Sequence, residues 1–419
     1  MSTTASAPHA AGDAGSPVLA AFAAARENDP YPAYRAIRAE DPLPGTDLGG
    51  HRITLVTRHG DAGTVLSDPA FGHGYKDRIS PFRPDGDADD GLESLLRTDP
   101  PDHTRLRRLV SRAFTPAALA GLAPDLTVYV NDLLDAALAA GDVDAVAALA
   151  RPVPLRMICR LLGVPAVDEQ IFCDWAETLI RGVDPDFLQT PEEIAARRRA
   201  ARELDDYFRE LIARLRARPG DDLVSRLVSV HLEQDALTGT EVLALCAVLL
   251  VAGLETTVNL ISGGIRALAL HPEQAALLRS DPSLVPAAIE EMLRHDPPVQ
   301  FIPRTVLADT ELDGRPLRRG DGVLVVTGSA NRDPDVFDDP DRFLVTRYAG
   351  VTPAARHHTF GLGIHYCLGA PLARMETEII FRLLLVRTRD LTLPPGEPTY
   401  RNQSVIRGLA TLPLHLVAA

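Results

Sequence analysis

Cys367 lies in the segment HTFGLGIHYCLG, from His358 to Gly369, with glycines on both sides and a histidine two residues before it. A thiol acts as a nucleophile or metal ligand in its thiolate form, and a negative sulfur away from water needs hydrogen-bond donors or positive charge nearby. The glycines let backbone N–H groups approach the sulfur, and the apolar stretch that follows predicts a helix whose N-terminus favours an anion. The segment therefore favours a functional thiolate over a buried structural cysteine.

Three chemistries remain to be compared for this thiolate. A zinc site built from His357, His358, His365 and Cys367 would need further ligands at a finger-like spacing, and no second C-x-x-C or H-x-x-x-H lies nearby. The G-x-G at 361–363 does not continue as G-x-G-x-x-G after a strand, so a dinucleotide site is not indicated. The third is a thiolate bound to haem iron, in which electron donation by sulfur favours cleavage of the O–O bond.

The segment FGLGIHYCLG, from Phe360 to Gly369, resembles the cysteine-loop signature F-x-x-G-x-H/R-x-C-x-G of the cytochrome P450 haem-thiolate monooxygenases. Every fixed position matches, and the resemblance continues in register from about Asp29 to the end of the chain. It implies haem b with Cys367 as the axial iron ligand and Phe360 beside the sulfur. It also implies O2 as co-substrate and electrons from NAD(P)H through redox partners.

A second motif, AGLETT from Ala252 to Thr257, resembles the acid–alcohol motif of the same family. By this resemblance Ala252 and Gly253 let the porphyrin and O2 approach the helix. Thr256 holds a water or an oxygen species by hydrogen bonding, and Glu255 takes part in proton delivery. The alternative is a helical threonine bonded to its own i−4 carbonyl beside a glutamate at a helix kink.

Haem carries two propionates, and burying them requires cationic or donor partners. The segment DHTRLRR places His103 and Arg107 four residues apart on one helical face. By resemblance these two residues, with Arg304 and His365, are the propionate anchors. The alternative for the pair on the helix is an ordinary solvated face.

The segment EEMLR resembles the E-x-x-R motif of the family, with Glu291 and Arg294 three residues apart. We expect both residues to pair with Arg342 and to fix the irregular stretch before the cysteine loop. Their role is predicted to be structural. The alternative is a surface i,i+3 pair, which contributes only about 0.3 kcal/mol.

The predicted substrate contacts are small or apolar, with one exception, and the alternative for each is plain core. They are Val248, Ala252, Gln300, Phe301, Ile302, Val405 and Ile406. With mobile covers at Ser67–Leu96 and Phe172–Gln189, they predict a largely apolar pocket. We expect hydroxylation or epoxidation of a polyketide, macrolide, terpenoid or aromatic intermediate of secondary metabolism, free or tethered to a carrier protein.

The elements that must position these residues are mostly helices. Helical periodicity dominates from Pro101 to about Pro272, and the stretch from Thr238 to Pro272 is apolar on nearly every face, which is typical of a helix in a protein core. Alternation at His51–Arg58 and short β-like pieces beyond Pro298 predict small sheets. We expect a mainly α fold with small β-sheets, the cytochrome P450 fold, with residues 1–16 disordered and 17–419 forming one domain.

Charge and composition limit the partners. The formal net charge of −14 argues against nucleic acid. Residues 1–16 lack the pattern of a signal peptide and no stretch indicates a membrane span, so we expect a cytoplasmic protein. Cys159, Cys173 and Cys246 lie in apolar, helix-like windows and are predicted to be buried. By resemblance, electrons come from a ferredoxin and its reductase, docking near Arg108, Arg112 and Arg374. A peroxide-driven peroxygenase and a non-enzymatic haem sensor are the alternatives.

Overall fold

The computed structural model describes residues 15–48, 50–82, 95–229, 237–350 and 354–419. The predictions of disorder at residues 1–14 and of a cover at residues 83–94 lie outside these ranges.

The described residues are mainly helical, as the sequence predicts. The helices are α1 (Pro17–Ala24), α2 (Tyr31–Glu40), α3 (His59–Ser67), α4 (Asp102–Ser111), α5 (Pro116–Leu119), α6 (Ala123–Ala140), α7 (Pro152–Leu162), α8 (Glu169–Leu179), α9 (Pro191–Ala217), α10 (Leu223–Ser229), α11 (Gly239–Leu270), α12 (Pro272–Ser280), α13 (Val285–His295), α14 (Thr327–Ala330) and α15 (Ala370–Arg387). The strands are β1 (Gly45–Leu48), β2 (His51–Val56), β3 (Phe71–Gly72), β4 (Asp142–Asp144), β5 (Phe301–Val306), β6 (Thr310–Leu312), β7 (Arg315–Leu317), β8 (Gly322–Val326), β9 (Thr388–Thr392), β10 (Thr399–Tyr400), β11 (Leu409–Thr411) and β12 (Pro413–Ala418).

The largest described sheet has the strand order β1-β2-β8-β5-β3. The pair β2 and β8 is parallel and the other pairs are antiparallel. Alternation along β5 puts Ile302 and Arg304 on one face and Phe301 on the other. A three-stranded sheet, β4-β12-β9, and the hairpins β6–β7 and β10–β11 complete the small β elements predicted at both ends of the chain.

The long apolar helix is α11, and it begins with a capping box. The Thr238 side chain accepts from the backbone N–H of Glu241, whose carboxylate accepts from the N–H of Thr238. Its 32 residues give a length of about 48 Å at 1.5 Å per residue. Helices α7, α8, α9 and α13 pack around it, so most of its surface is buried.

Among the described residues, α11 is the one helix that by itself is long and apolar enough to cross a membrane. Of its most apolar window, 78% is buried inside the protein, which is typical of a core helix. The segments 102–114 and 116–140 pass the same test only if they are joined as one span across a 47° bend. The prediction that Cys159, Cys173 and Cys246 are buried is confirmed.

Candidate active site

The cysteine loop, residues 357–369, precedes α15 and depends on two glycines. Gly361 and Gly363 have φ values of +67° and +65°, a region that favours glycine. A Cβ at Gly363 would also lie 2.7 Å from the carbonyl oxygen of Leu66. The Cys367 N–H donates to the Phe360 carbonyl at 2.8 Å, which closes the loop. Gly369 differs, because its φ is ordinary and a Cβ there would meet no described atom within 4 Å.

The Cys367 sulfur lies where the sequence predicts it, just before the N-terminus of α15. Burial raises the pKa of the thiol, while the N–H groups of Gly369 and Ala370 and the positive charge of Arg107 lower it. The Arg107 guanidinium reaches the adjacent backbone and donates to the Tyr366 carbonyl at 2.6 Å. Donors therefore converge on the sulfur, but they lower the thiol pKa by less than burial raises it. A metal ion would supply the missing positive charge.

Basic side chains from four parts of the chain meet beside the cysteine loop. We call this group the cationic cluster, and it consists of His73, His103, Arg107, Arg304 and His365. The ring centroids of His103 and His365 are 4.2 Å apart, and those of His73 and His365 are 4.7 Å apart. Burial, followed by the neighbouring positive charges, lowers the pKa of His365 to about 3. Burial also lowers the pKa of Arg304 to about 10.

The cationic cluster lacks a matching anion among the described residues. Both ring nitrogens of His103 and the Nε2 atoms of His73 and His365 are buried without a hydrogen-bond partner. The carboxylate of Asp99 is already taken by the N–H groups of His73 and Gly74. Buried donors that lack a hydrogen-bond partner need a ligand with acceptor oxygens, such as carboxylates, because unsatisfied buried polar groups are costly. The cluster therefore fits the two carboxylates of a haem, as the sequence predicts for four of its members.

One face of α11 is left uncovered in the middle of the core. Ala252 is exposed and Gly253 and Thr256 are half-buried, although Val251 and Leu254 beside them are buried. A flat cofactor and a small ligand could lie against such small residues. Val248, one turn before Ala252 on the same face, is buried but is not part of the main hydrophobic cluster.

Thr256 and Glu255 point to different partners. The Thr256 hydroxyl donates to the Ala252 carbonyl at 2.5 Å, which is the i−4 bond that the sequence left as an alternative. Glu255 is buried and forms an ion pair with Arg401, a residue of the C-terminal region. Burial raises the Glu255 pKa, and the charges of Arg401 and Arg151 oppose this shift. One carboxylate oxygen of Glu255, Oε1, has no hydrogen-bond partner.

The ion pair of Glu255 is connected to the protein surface. Arg401 Nη2 lies 3.9 Å from the carboxylate of Glu177 on α8, whose side chain is 45% exposed. Glu177 also pairs with Arg151, which donates to the Cys173 sulfur at 3.3 Å. Carboxylates and guanidiniums therefore alternate from the buried acid to a solvent-exposed one.

The predicted substrate contacts Gln300 and Phe301 are packed against other parts of the protein. The Gln300 amide donates to the Pro297 carbonyl at 2.7 Å, and a Cβ on Gly328 would lie 2.5 Å from its oxygen. The Phe301 ring packs against Phe22, with centroids 4.8 Å apart. Both side chains are fully buried, as Val405 and Ile406 nearly are, and they stay predicted substrate contacts.

Ile302 lies on the same face of β5 as Arg304 of the cationic cluster and is only half-buried. Val405 and Ile406 are buried members of the main hydrophobic cluster. Val405 is tied to the segment before β5, because its carbonyl accepts from the Gln300 N–H at 2.8 Å. Together with Val248 and Ala252, these three stay predicted substrate contacts.

Glu291 and Arg294 are both fully buried and pair at 2.7 Å, but Arg342 is not their partner. The second guanidinium on Glu291 belongs to Arg347, at 3.1 Å. The Arg342 side chain is 68% exposed and pairs with Asp339, and only its carbonyl accepts from Arg294. The prediction for Arg342 is therefore wrong, because this side chain points out of the turn that its backbone helps to form.

Around the loop, His357 and Arg374 share the carboxylate of Glu290, whereas His358 has a different partner. His357 contacts the carboxylate of Glu290 at 3.2 Å, and the ring of His358 stacks on His59. Arg374 also binds Glu290, at 2.6 Å, and lies over the Phe360 ring. Arg374 is therefore neutralised by a neighbour.

Sequence reasoning missed three residues of this site. His73 follows β3 in a loop without periodicity, so nothing local marks it. Arg401 and Arg347 are arginines in irregular segments, a setting in which a solvated side chain is the usual expectation. The Glu–Arg pair of the E-x-x-R motif could have prompted a search for a second arginine, but the motif does not indicate where that arginine lies.

A thiolate loop before a helix, a cluster of donors suited to two carboxylates and an acid–alcohol pair on a core helix define a haem-thiolate oxygenase site. The family model for cytochrome P450 matches residues 177–414. The chain is 41% identical to the cytochrome P450 monooxygenase PikC of Streptomyces venezuelae, over 92% of this chain and 91% of that protein.

Solved structures agree with this classification. The bacillaene polyketide synthase cytochrome P450 PksS of Bacillus subtilis 168 superposes with a TM-score of 0.83 at 34% identity, over 93% of this chain and 97% of that one. P450BioI, in complex with an acyl carrier protein ligated to hexadec-9Z-enoic acid, gives 0.86 at 32% identity, over 94% and 100%. The chain belongs to the cytochrome P450 family. It is a haem-thiolate monooxygenase that uses O2 and electrons from NAD(P)H delivered by redox partners.

Proposed function

We propose that this enzyme hydroxylates or epoxidises a largely apolar intermediate of secondary metabolism, with polyketides and macrolides as the first candidates. The observation that carries the proposal is the uncovered face of α11, where Ala252 and Gly253 leave room beside Thr256. Apolar side chains at Val248 and Ile302 suit an apolar ligand. The relatives PikC and PksS, the second named for polyketide biosynthesis, support the same class.

The residues have distinct proposed tasks. Cys367 ligates the iron, and the cationic cluster holds the propionates, with His73 added to the four anchors expected from the sequence. Bound haem with a thiolate ligand supplies the reductive activation of O2 that inserts one oxygen atom into the substrate. Thr256 holds a water or ligand oxygen by hydrogen bonding. Glu255 accepts and returns the proton, and Arg401 sets its charge state.

We further propose that the electron donor is a ferredoxin with its reductase and that the enzyme is cytoplasmic. Arg108 and Arg112, at the end of α4, are exposed and could meet an acidic partner. Arg374 contributes less to such a surface because Glu290 balances its charge. Substrates tethered to a carrier protein are also proposed, with the acyl carrier protein complex of P450BioI as the supporting case.

The test has two stages. The purified holoenzyme, reduced under CO, should show the red-shifted Soret band of thiolate ligation, and a Cys367→Ser variant should lose it. A panel of macrolactones, terpenoids and aromatic polyketides, each offered free and as a pantetheine thioester, is then screened with 18O2 for incorporation of one labelled oxygen. A wild-type spectrum identical to that of the serine variant would refute the assignment of Cys367.

The same screen separates the alternative reaction. Turnover with hydrogen peroxide alone, as fast as with NADPH, ferredoxin and reductase, would indicate a peroxygenase. We expect the reductase-supported rate to be higher, because the Glu255–Thr256 pair serves proton delivery during reduction of O2.

A further inference from the structure

Asp184 fastens the segment between α8 and α9 to the C-terminal region. We call residues 180–190 the cover segment and residues 402–406 the tail turn. The Asp184 side chain is 2% exposed, and its carboxylate accepts the N–H groups of Val405 at 2.8 Å and Ser404 at 3.2 Å. Arg181 of the same segment pairs with Asp184 at 3.1 Å and donates to the Asn402 carbonyl at 2.5 Å. Along this edge of the tail turn, the Asp184 carboxylate thus accepts the backbone N–H groups that a neighbouring strand would bind in a sheet.

The cover segment is braced so that Asp184 keeps this position. The Gln189 amide donates to the Asp184 carbonyl at 2.8 Å. Arg197 on α9 is buried and donates to the Gln189 side-chain oxygen at 3.1 Å and to Asp186 at 3.3 Å. These contacts connect the start of α9 to the cover segment without touching the tail turn. We call the bonds of Asp184 and Arg181 to the tail turn the latch.

The opposite edge of the tail turn is bonded to the segment before β5. The Gln300 N–H donates to the Val405 carbonyl, and Ile406 forms an isolated bridge with Val299. Ser404 and Val405 are buried, so their N–H groups have no access to water as a substitute for Asp184. The placement of Val405 and Ile406 therefore depends on both edges.

We propose that Asp184 is a positioning residue for substrate binding. The Asp184 carboxylate binds the amides of the tail turn and holds Val405 and Ile406 in the geometry that contacts the substrate. The proposal rests on the proposed function in taking these two residues as part of the pocket. It predicts that losing the carboxylate weakens binding of bulky ligands and leaves the maximal rate nearly unchanged.

The first test is amide hydrogen exchange in the holoenzyme labelled with 15N-valine. In Asp184→Asn the Val405 amide should exchange on the order of tenfold to a hundredfold faster, because a buried hydrogen bond to a charged acceptor is lost. The Val417 amide in β12 should keep its rate. Glu192→Gln is the matched control, because this carboxylate is exposed in the first turn of α9, directly after the cover segment. An unchanged Val405 amide in Asp184→Asn would overturn the proposal.

The second test is ligand affinity, followed by optical titration. Clotrimazole fills a large pocket, whereas imidazole needs little of it. We expect about tenfold weaker clotrimazole binding in Asp184→Asn, with imidazole affinity within about twofold of wild type. Glu192→Gln should match wild type for both ligands. Faster exchange with unchanged clotrimazole binding would also overturn the proposal, because the latch would then serve the fold alone.

Failure of the proposed function would look different. In that case clotrimazole would still bind and Asp184→Asn would still weaken its binding, but no compound in the 18O2 screen would gain a labelled oxygen. If Asp184→Asn does not fold, Arg181→Gln tests the same latch, because it removes the cation that pairs with Asp184 and holds Asn402. We then expect faster exchange at Val405 and weaker clotrimazole binding in that variant, and wild-type values for both would overturn the proposal.

Discussion

Replacing Glu291 by alanine should remove a large part of the stability of the fold. Glu291 is fully buried and accepts from Arg294 at 2.7 and 2.8 Å, from Arg347 at 3.1 and 3.2 Å and from the Leu344 N–H at 3.0 Å. The substitution leaves two guanidiniums without their anion, and breaking a buried pair in this way costs about 3–5 kcal/mol. Domains are stable by only about 5–15 kcal/mol, so this loss should be obvious.

The assay is equilibrium denaturation of the holoenzyme by urea, followed by far-ultraviolet circular dichroism. Arg342→Ala is the matched control, because its ion pair with Asp339 is exposed and should contribute no more than about 1 kcal/mol. Arg347→Ala should lie between the two, since Arg294 still neutralises Glu291. Equal losses for Glu291→Ala and Arg342→Ala would refute the reasoning and restore the expected role of Arg342.

Three further outcomes are expected. Thr256→Ala should divert reducing equivalents from product to peroxide, measured as product formed per NADPH consumed. Thr256→Ser should stay close to wild type. Unchanged coupling in the alanine variant would contradict the role of the hydroxyl. Burial raises the pKa of Glu255, so the folded protein keeps a proton that the unfolded chain has released, and the free energy of unfolding falls as pH rises through that window. Arg401→Gln removes the main charge that lowers this pKa, so stability should fall more than in wild type as pH rises above the ordinary glutamate pKa of about 4.3, an effect that Glu255→Gln should abolish. His73→Phe should speed haem transfer to apomyoglobin several-fold, and an unchanged rate would remove His73 from the cationic cluster.

The parts of the site that the sequence predicts well are those whose residues are close in the chain. Cys367 and the loop glycines lie within ten residues of each other, so their spacing already fixes the turn. Ala252 and Thr256 are one helical turn apart, and the 3.6-residue period places them on one face. In both cases the residues are close in sequence, so the motif itself predicts how they are arranged.

The remaining parts depend on contacts between distant segments. Arg401 reaches Glu255 across 146 residues of sequence, and no local pattern indicates which arginine will do so. Alternation along β5 shows that Phe301 and Ile302 face opposite sides, but it does not show which side meets the pocket. The packing of Phe301 against α1 decides this, and α1 is far away in the sequence. For the same reason Arg347, rather than Arg342, completes the buried pair.

The bond from Thr256 to its own helix assigns different tasks to the two residues of the acid–alcohol pair. A hydroxyl has one proton to donate and two lone pairs that accept. While that proton is shared with the Ala252 carbonyl, Thr256 can only accept hydrogen bonds from a group on the uncovered face of α11. A proton for that group must then come from another donor, and in the proposed function this donor is Glu255, whose pKa is raised by burial and lowered by the charge of Arg401. In the proposed role of Glu255, Arg401 lies between this buried acid and the exposed Glu177, and its charge opposes the uptake of a proton by Glu255.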